Sequence, residues 1–387
     1  MKIICTQENL NKGLLIISNI TGKNPNLPIL NNILIKAKNN IITLSATNLE
    51  IGINCIIRGK IEKEGSFTVP ARNFLDYISL ISKNQVILEL KDNKLEVSNS
   101  NFKSKFKGET TDDFPTIPKI KRQSKYTIKL EDMKSAISNV IFASTVISSR
   151  PEISGVLFNF NSDKKKLTLA ATDSYRLAEK KINLIDISGK NEKIIIPIKT
   201  LQEVVRIIGL IKDIDQEDKK QKTINIYLSG DGQVLFTFPD PKIGTEDSIE
   251  LVSRVIEGNY PEYQEIIPKS HNTKILVEKN NLIKIVKAGS LFTESGVNSI
   301  KLEFFEKDNE ITVFSANSQT GENLSKLQAK IEGEDNSIVL NYRYLLEGLQ
   351  NINGDIAVLE IINKDVPCLL KSIDKDDYIY IIMPIRL

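Results

Sequence analysis

LTLAATDSYRLA, Leu167 to Ala178, has two shorter counterparts in the same chain: ITLSATN at Ile42 to Asn48 and ITVFSAN at Ile311 to Asn317. In each, alternating residues that can bury one face of a sheet run into a polar turn at Asn48, Asp173 or Asn317, the pattern of a β-strand ending in a tight turn. Only the middle copy continues into Tyr175, Arg176 and Leu177. One strand written three times implies a repeat, and the embellished copy implies a task the others lack.

Working outward, each copy opens with a short strand, a polar turn and an amphipathic helix: IICTQENLNKGLLIISNI from Ile3, YTIKLEDMKSAISNVIFA from Tyr126 and KILVEKNNLIKIVKAGSL from Lys274. Leu10, Leu14 and Ile17 align with Met133, Ile137 and Val140, and with Leu282, Val286 and Gly289. That i, i+4, i+7 spacing sets one helix face against a core. After the repeated strand comes another strand running into a second helix, in FTVPARNFLDYI from Phe67, IIIPIKTLQEVV from Ile194 and SIVLNYRYLLEG from Ser337. Arg72, Lys199 and Arg343 fall in register where each of these helices begins. Hairpin-like runs close each copy, such as VILELKDNKLEVSN from Val86, INIYLSGDGQVLFTF from Ile224 and IAVLEIINKDVPCLL from Ile356.

The expected fold is therefore α+β: three repeated domains of two helices packed on antiparallel sheets. Pro-bearing segments DFPTIPKIKRQS and YPEYQEIIPKSHN place the domains at residues 1–122, 123–263 and 264–387. The charged run Lys212 to Thr223 in the middle copy has little to bury and is expected to be an exposed loop.

Composition narrows the class of function. A chain this long exceeds one compact core, and 41% apolar residues suffice to bury one in each domain. No run approaches the roughly 18 apolar residues of a membrane span, so a cytoplasmic protein with no membrane association is expected. The net charge of +3 is near balance, and only 9 of the 52 basic residues are arginine. Lysine number therefore carries no weight, and only placement does. Cys5, Cys55 and Cys368 stand far apart, as isolated core residues do, without the spacing of a disulfide framework or zinc site.

Catalytic chemistry is scarce. His271 is the single histidine, which removes multi-His metal sites and most triads. No phosphate-binding glycine loop follows a strand. The pairs Asp112–Asp113 and Asp376–Asp377 are adjacent residues, which on an extended chain point apart, and are expected in solvated turns. Thr172 and Asp173 form the best enzymatic candidate, for an α/β hydrolase-like or nucleotide-processing activity, but similar residues recur in the other copies. A monomeric peptide-binding scaffold is the other alternative. Neither a metal nor a cofactor is implied.

The residues at this point resemble a known family over essentially the whole length: the bacterial sliding clamp, the beta subunit of DNA polymerase III. The resemblance is carried by NLPILNNILI from Asn26, FTVPARNFLDY from Phe67, ATDSYRLA from Ala171, YPEY from Tyr260 and the terminal IIMPIRL from Ile381, in that order and spacing. It implies the DNA clamp fold: a head-to-tail homodimeric ring of six domains around duplex DNA, twelve helices facing the hole. A processivity factor of this kind is not an enzyme. It tethers the replicative polymerase and serves the clamp loader and other replication and repair proteins.

A protein that slides along any sequence should meet phosphates through cations and avoid base edges. The candidates are Lys12, Lys134, Lys284 and Lys287 on the first helices and Arg72, Lys199, Arg206 and Arg343 on or beside the second. The resemblance adds Lys23 and Asn24, in the turn TGKNP where the family often has an arginine, and Arg150 for DNA or docking. It also implies a pocket for partner peptides built from Ile153, Thr172, Ser174, Tyr175, Arg176, Leu177, Pro261, Ile266, Ile381, Met383, Pro384, Ile385, Arg386 and Leu387. Leu, Ile, Met and Pro would form the apolar floor, with Arg and Tyr fixing the peptide backbone. Ser174 stands where many members have glycine, and Glu265 where a basic residue is common. By the same resemblance, Lys103, Lys105 and Phe106 meet the region of Leu291 across the dimer interface. The tail from Met383 to Leu387 is expected to add little core beyond the last strand.

Overall fold

The computed structural model describes residues 1–22, 26–145, 149–214, 222–240, 245–294, 296–373 and 376–386. Lys23, Asn24 and Leu387 lie outside the described residues. Among the described residues there are six α-helices: α1 (Gln7–Ile17), α2 (Ala71–Leu80), α3 (Leu130–Ile141), α4 (Ile198–Ile214), α5 (Lys279–Ser290) and α6 (Tyr342–Asn351). Each repeat contributes two, as its sequence requires. The helix faces read from spacing are the buried ones: Leu10, Leu14, Ile17, Met133, Ile137, Val140, Leu282 and Val286 are all 0% exposed. At Gly13 the helix lies so close to its sheet that a Cβ would meet Ile57 and Leu44 at 2.6 and 2.7 Å. The three cysteines are buried, and burial pushes the Cys5 and Cys368 thiols up to about 12.

Antiparallel strands form four sheets among the described residues. Lys60–Lys63, Lys2–Thr6, Gln85–Lys91, Lys94–Ser98 and Lys103–Lys107 make a five-stranded sheet, in that order. A nine-stranded sheet joins five strands of the second repeat to four of the first, where Thr245–Arg254 pairs with Ile51–Ile57. The other nine-stranded sheet joins four strands of the second repeat to five of the third, where Arg176–Asn183 pairs with Tyr378–Ile382. Gly321–Gln328, Glu310–Asn317, Ser299–Phe305 and Asn336–Asn341 make a four-stranded sheet.

These hydrogen-bonded junctions explain why compactness and repetition divide the chain differently. There are two compact units: Met1–Glu131 with Leu184–Lys190 and Gln202–Val255, and Asp132–Asn183 with Asn191–Leu201 and Ile256–Leu387. Continuous ladders hold the end of one repeat to the next, so the units follow the sheets whereas the repeats follow the chain. Of the charged run, α4 takes in Lys212 to Ile214 and Thr223 begins a strand, while residues 215–221, on which the expected loop mainly falls, lie outside the described residues. Asp377 also does more than sit in a solvated turn: it pairs at 2.9 Å with Lys180, whose side chain is 6% exposed.

Candidate functional site

The recurring turn shows its chemistry in two copies. Thr47 Oγ1 donates to the Ile51 carbonyl at 3.0 Å and accepts from the Leu49 amide at 3.1 Å, while Asn48 Oδ1 accepts from the Glu50 and Ile51 amides at 3.0 and 2.7 Å. Thr172 repeats this toward Arg176 and Ser174 at 2.6 and 3.1 Å, and Asp173 Oδ1 toward Tyr175 and Arg176 at 3.0 and 3.1 Å. A hydroxyl that gives its proton to a carbonyl and a carboxylate occupied by amides are turn-forming groups. The Thr172–Asp173 enzyme candidate is thereby removed. The turn bends through the left-handed region at Leu49 (φ 75°) and Ser174 (φ 78°), which is why glycine suits the latter position.

Around the middle turn, in the second compact unit, the structure assembles an apolar bed. Leu177 and Ile381 sit opposite each other in paired strands and pack with Leu157, Ala170, Tyr263 and Leu369, with Tyr260 and Ile267 against them. Tyr175 stands beside it 65% exposed, and Ile266 is 37% exposed. Ile153 is fully buried, Pro261 is half-buried, and Arg150 donates to Ser174 Oγ at 3.2 Å. The tail is more anchored than the sequence implies. Met383 N–H donates to the Tyr175 carbonyl at 2.9 Å, Ile385 N–H to the Val339 carbonyl at 2.8 Å, and residues 383–385 are half-buried before exposed Arg386.

The linker is locked by a buried contact that sequence reading missed. The Tyr263 phenol donates to Glu179 Oε2 at 2.5 Å, and Lys181 pairs with the other oxygen at 2.9 Å. Burial, then the Glu179 charge, pushes this phenol far above its ordinary pKa, so it stays a donor. The doubled tyrosines of YPEY were the available signal.

Arg176 has a different role from the one expected. Its side chain is 9% exposed and its donors are spent inside the unit, on Asp173 Oδ2 at 3.0 Å, on Glu347 of α6 and on the Phe142 carbonyl at 2.6 Å. The guanidinium also lies 4.5 Å from the Tyr344 ring centroid. Its side chain therefore fastens the turn to α6 and to the residue that follows α3.

The cationic candidates separate in the same way. Arg72, Lys199 and Arg343 are each the second residue of α2, α4 and α6, and all three are exposed. Lys284 and Lys287 are exposed on α5, whereas Lys12 and Lys134 are half-buried. Arg206 is a correction. It donates through Nε to Glu203 at 2.8 Å and through its two terminal nitrogens to the carbonyls of Leu15, at 2.8 Å, and Ile16, capping the negative end of α1. Arg206→Ala should therefore lower stability by about 1–2 kcal/mol, a few degrees of melting temperature, and leave the salt dependence of DNA binding unchanged.

Phe106 is half-buried against its own repeat, edge-on to Phe74 and Tyr77 at 5.2 and 5.3 Å, on the last strand of the five-stranded sheet. Lys103 and Lys105 both reach Glu96, at 3.9 and 2.9 Å. Leu291, just past α5, is 73% exposed. Among the described residues no cluster of His, Cys, Asp and Glu could hold a metal ion, and no helix is long and apolar enough to cross a membrane.

Comparison with known proteins decides the family. Models for the N-terminal, central and C-terminal domains of the DNA polymerase III beta subunit match residues 1–118, 127–262 and 264–386. The chain belongs to the DNA polymerase III beta subunit family. A beta sliding clamp of Synechococcus elongatus is 26% identical over 391 residues, covering all of both chains. One of Staphylococcus epidermidis is 29% identical over 372 residues, covering 93% of this chain and 92% of the relative. Solved structures agree in fold: the beta subunit of Thermotoga maritima at TM-score 0.88 and 24% identity, covering 100% of this chain and 99% of its own, and that of Pseudomonas aeruginosa at 0.89 and 21%, covering 100% of both. A clamp is a processivity factor, so this member of the family is an accessory subunit without catalysis of its own.

Proposed function

We propose that two copies of this chain join head to tail into a ring around duplex DNA and hold DNA polymerase III on its template through the Tyr175 bed. The same pocket serves the clamp loader and other replication and repair proteins, and the ring works in the cytoplasm. The observation that carries the reading is the placement of Arg72, Lys199 and Arg343. A cation in the first turn opposes the helix dipole at about 0.3–1 kcal/mol each, and none of the three helices offsets it with an acidic residue there. A choice unfavourable to stability, made three times in register, fits a phosphate surface, where cation and helix N-terminus attract the same anion.

Sheet topology supports the closure. Within the chain, four strands of one repeat join five of the next at both junctions, which leaves a five-stranded sheet in the first repeat and a four-stranded sheet in the third. Their end strands, Lys103–Lys107 and Gly321–Gln328, correspond to the strands that pair at the internal junctions. Pairing them between copies would give the same nine-stranded sheet and cover two edges otherwise open to aggregation.

The test is retention on DNA. Loaded protein should stay on a nicked circular duplex and be lost once the circle is cut. Equal loss from both would overturn the ring. Leu291→Asp with Leu324→Asp, at side chains 73% and 60% exposed, should convert a dimer into monomers of 43.5 kDa with unchanged melting. A dimer persisting in sedimentation at low micromolar concentration would place the interface elsewhere.

A further inference from the structure

The middle turn is complete without the Arg176 side chain. In the first copy Ile51 occupies the corresponding position and the same four hydrogen bonds close the turn. The guanidinium N–H groups of Arg176 are therefore additional to the turn, and what they hold is informative. They bind the Phe142 carbonyl, just beyond the last turn of α3, and Glu347 in the middle of α6, with the Tyr344 ring of α6 against the guanidinium. Glu347 is one helical turn after Arg343, so the two share a face of α6, where opposite charges four apart attract. In the structure they are engaged elsewhere: Arg343 Nε donates to Tyr342 Oη at 3.3 Å, and Glu347 pairs with Arg176.

We infer that Glu347 is a positioning residue for the peptide pocket: through Arg176 it ties the Thr172–Arg176 turn to α6, so that phosphate held at Arg343 and peptide held beside Tyr175 strengthen each other. This rests on the roles assigned above to Arg343 and to the Tyr175 bed. Glu347 pairs with Arg176, which leads to the pocket, and Arg343 stands four residues before it on the same helix. Phosphate at Arg343 supplies that guanidinium with its own anion and leaves Glu347 to Arg176. The turn that carries Tyr175 and accepts the Met383 amide is then held more firmly. Because coupling is reciprocal, peptide in the pocket raises affinity for the duplex by the same factor.

The test uses the full chain and a fluorescein-labelled peptide from the catalytic subunit of polymerase III, titrated by anisotropy with and without saturating short duplex at low salt. Duplex should tighten wild-type peptide binding about fivefold, the low end for coupled sites. Glu347→Gln, which keeps the shape and removes the charge at a half-exposed position, should weaken the peptide without duplex, abolish the duplex effect and leave melting unchanged. Arg176→Met combined with Glu347→Gln should weaken binding no further than Arg176→Met alone, because both remove one link. Wild-type affinity, or a surviving duplex effect, in Glu347→Gln overturns the inference and spares the pocket. A wild-type chain that binds no peptide overturns the pocket and the inference together.

Discussion

Reversing Arg72, Lys199 and Arg343 together to glutamate should abolish stable association with duplex DNA at moderate salt while the protein melts no lower than wild type. Each cation neutralised against a phosphate contributes roughly −0.9 to the slope of log affinity against log salt. A dimer presenting the three residues twice should therefore lose a slope of about 5 on reversal. The stability half of the expectation follows from placement. All three side chains sit in the first turn of a helix, where glutamate is favoured over a cation by about 0.3–1 kcal/mol. Filter binding across a salt series, beside calorimetry, reads both. An unchanged slope removes these residues from the DNA surface, and a large fall in melting temperature means they support the fold.

Much of this was legible in the sequence because it is local. The strand and turn at Leu167 to Ala178 carry their own hydrogen-bond donors and acceptors within five residues, so Thr172 and Asp173 declare the turn, and Thr47 with Asn48 declares its copy. Helix faces at Leu10, Met133 and Leu282 follow from a period any amphipathic helix obeys. What could not be read is what joins distant positions. Nothing near Arg176 names Glu347, 171 residues away, as its partner. An arginine beside an apolar bed looks the same in sequence whether it reaches out or fastens its own turn to a helix. Arg206 was misread for the same reason: its helix position suits a phosphate contact, and only packing brings the α1 carbonyls within reach. The junctions between repeats were equally hidden, since alternation fixes which face a strand buries but not which strand of another repeat lies beside it.

Deleting Met383 to Leu387 should remove binding of a polymerase-derived peptide, and the structure changes what else that deletion does. Losing several apolar contacts beside Leu177 and Tyr263 should weaken binding by about 2–4 kcal/mol, thirtyfold to a thousandfold. The tail is also fastened by the Met383 and Ile385 amides to the Tyr175 and Val339 carbonyls. Two backbone hydrogen bonds contribute about 0.5–1.5 kcal/mol each, so the truncated chain should melt a few degrees lower and still form dimers. Affinity lost with the tail could therefore reflect either a missing wall or a loosened turn. Tyr175→Ala separates the two. Its ring is 65% exposed, so its removal should barely move the melting temperature, and its amide still donates to Asp173. If the ring is a wall of the pocket, Tyr175→Ala alone should weaken the peptide at least tenfold, about 1.4 kcal/mol, with the turn intact. Wild-type affinity in that variant would mean that the exposed tyrosine faces solvent and that the tail alone, with the bed beneath it, makes the site.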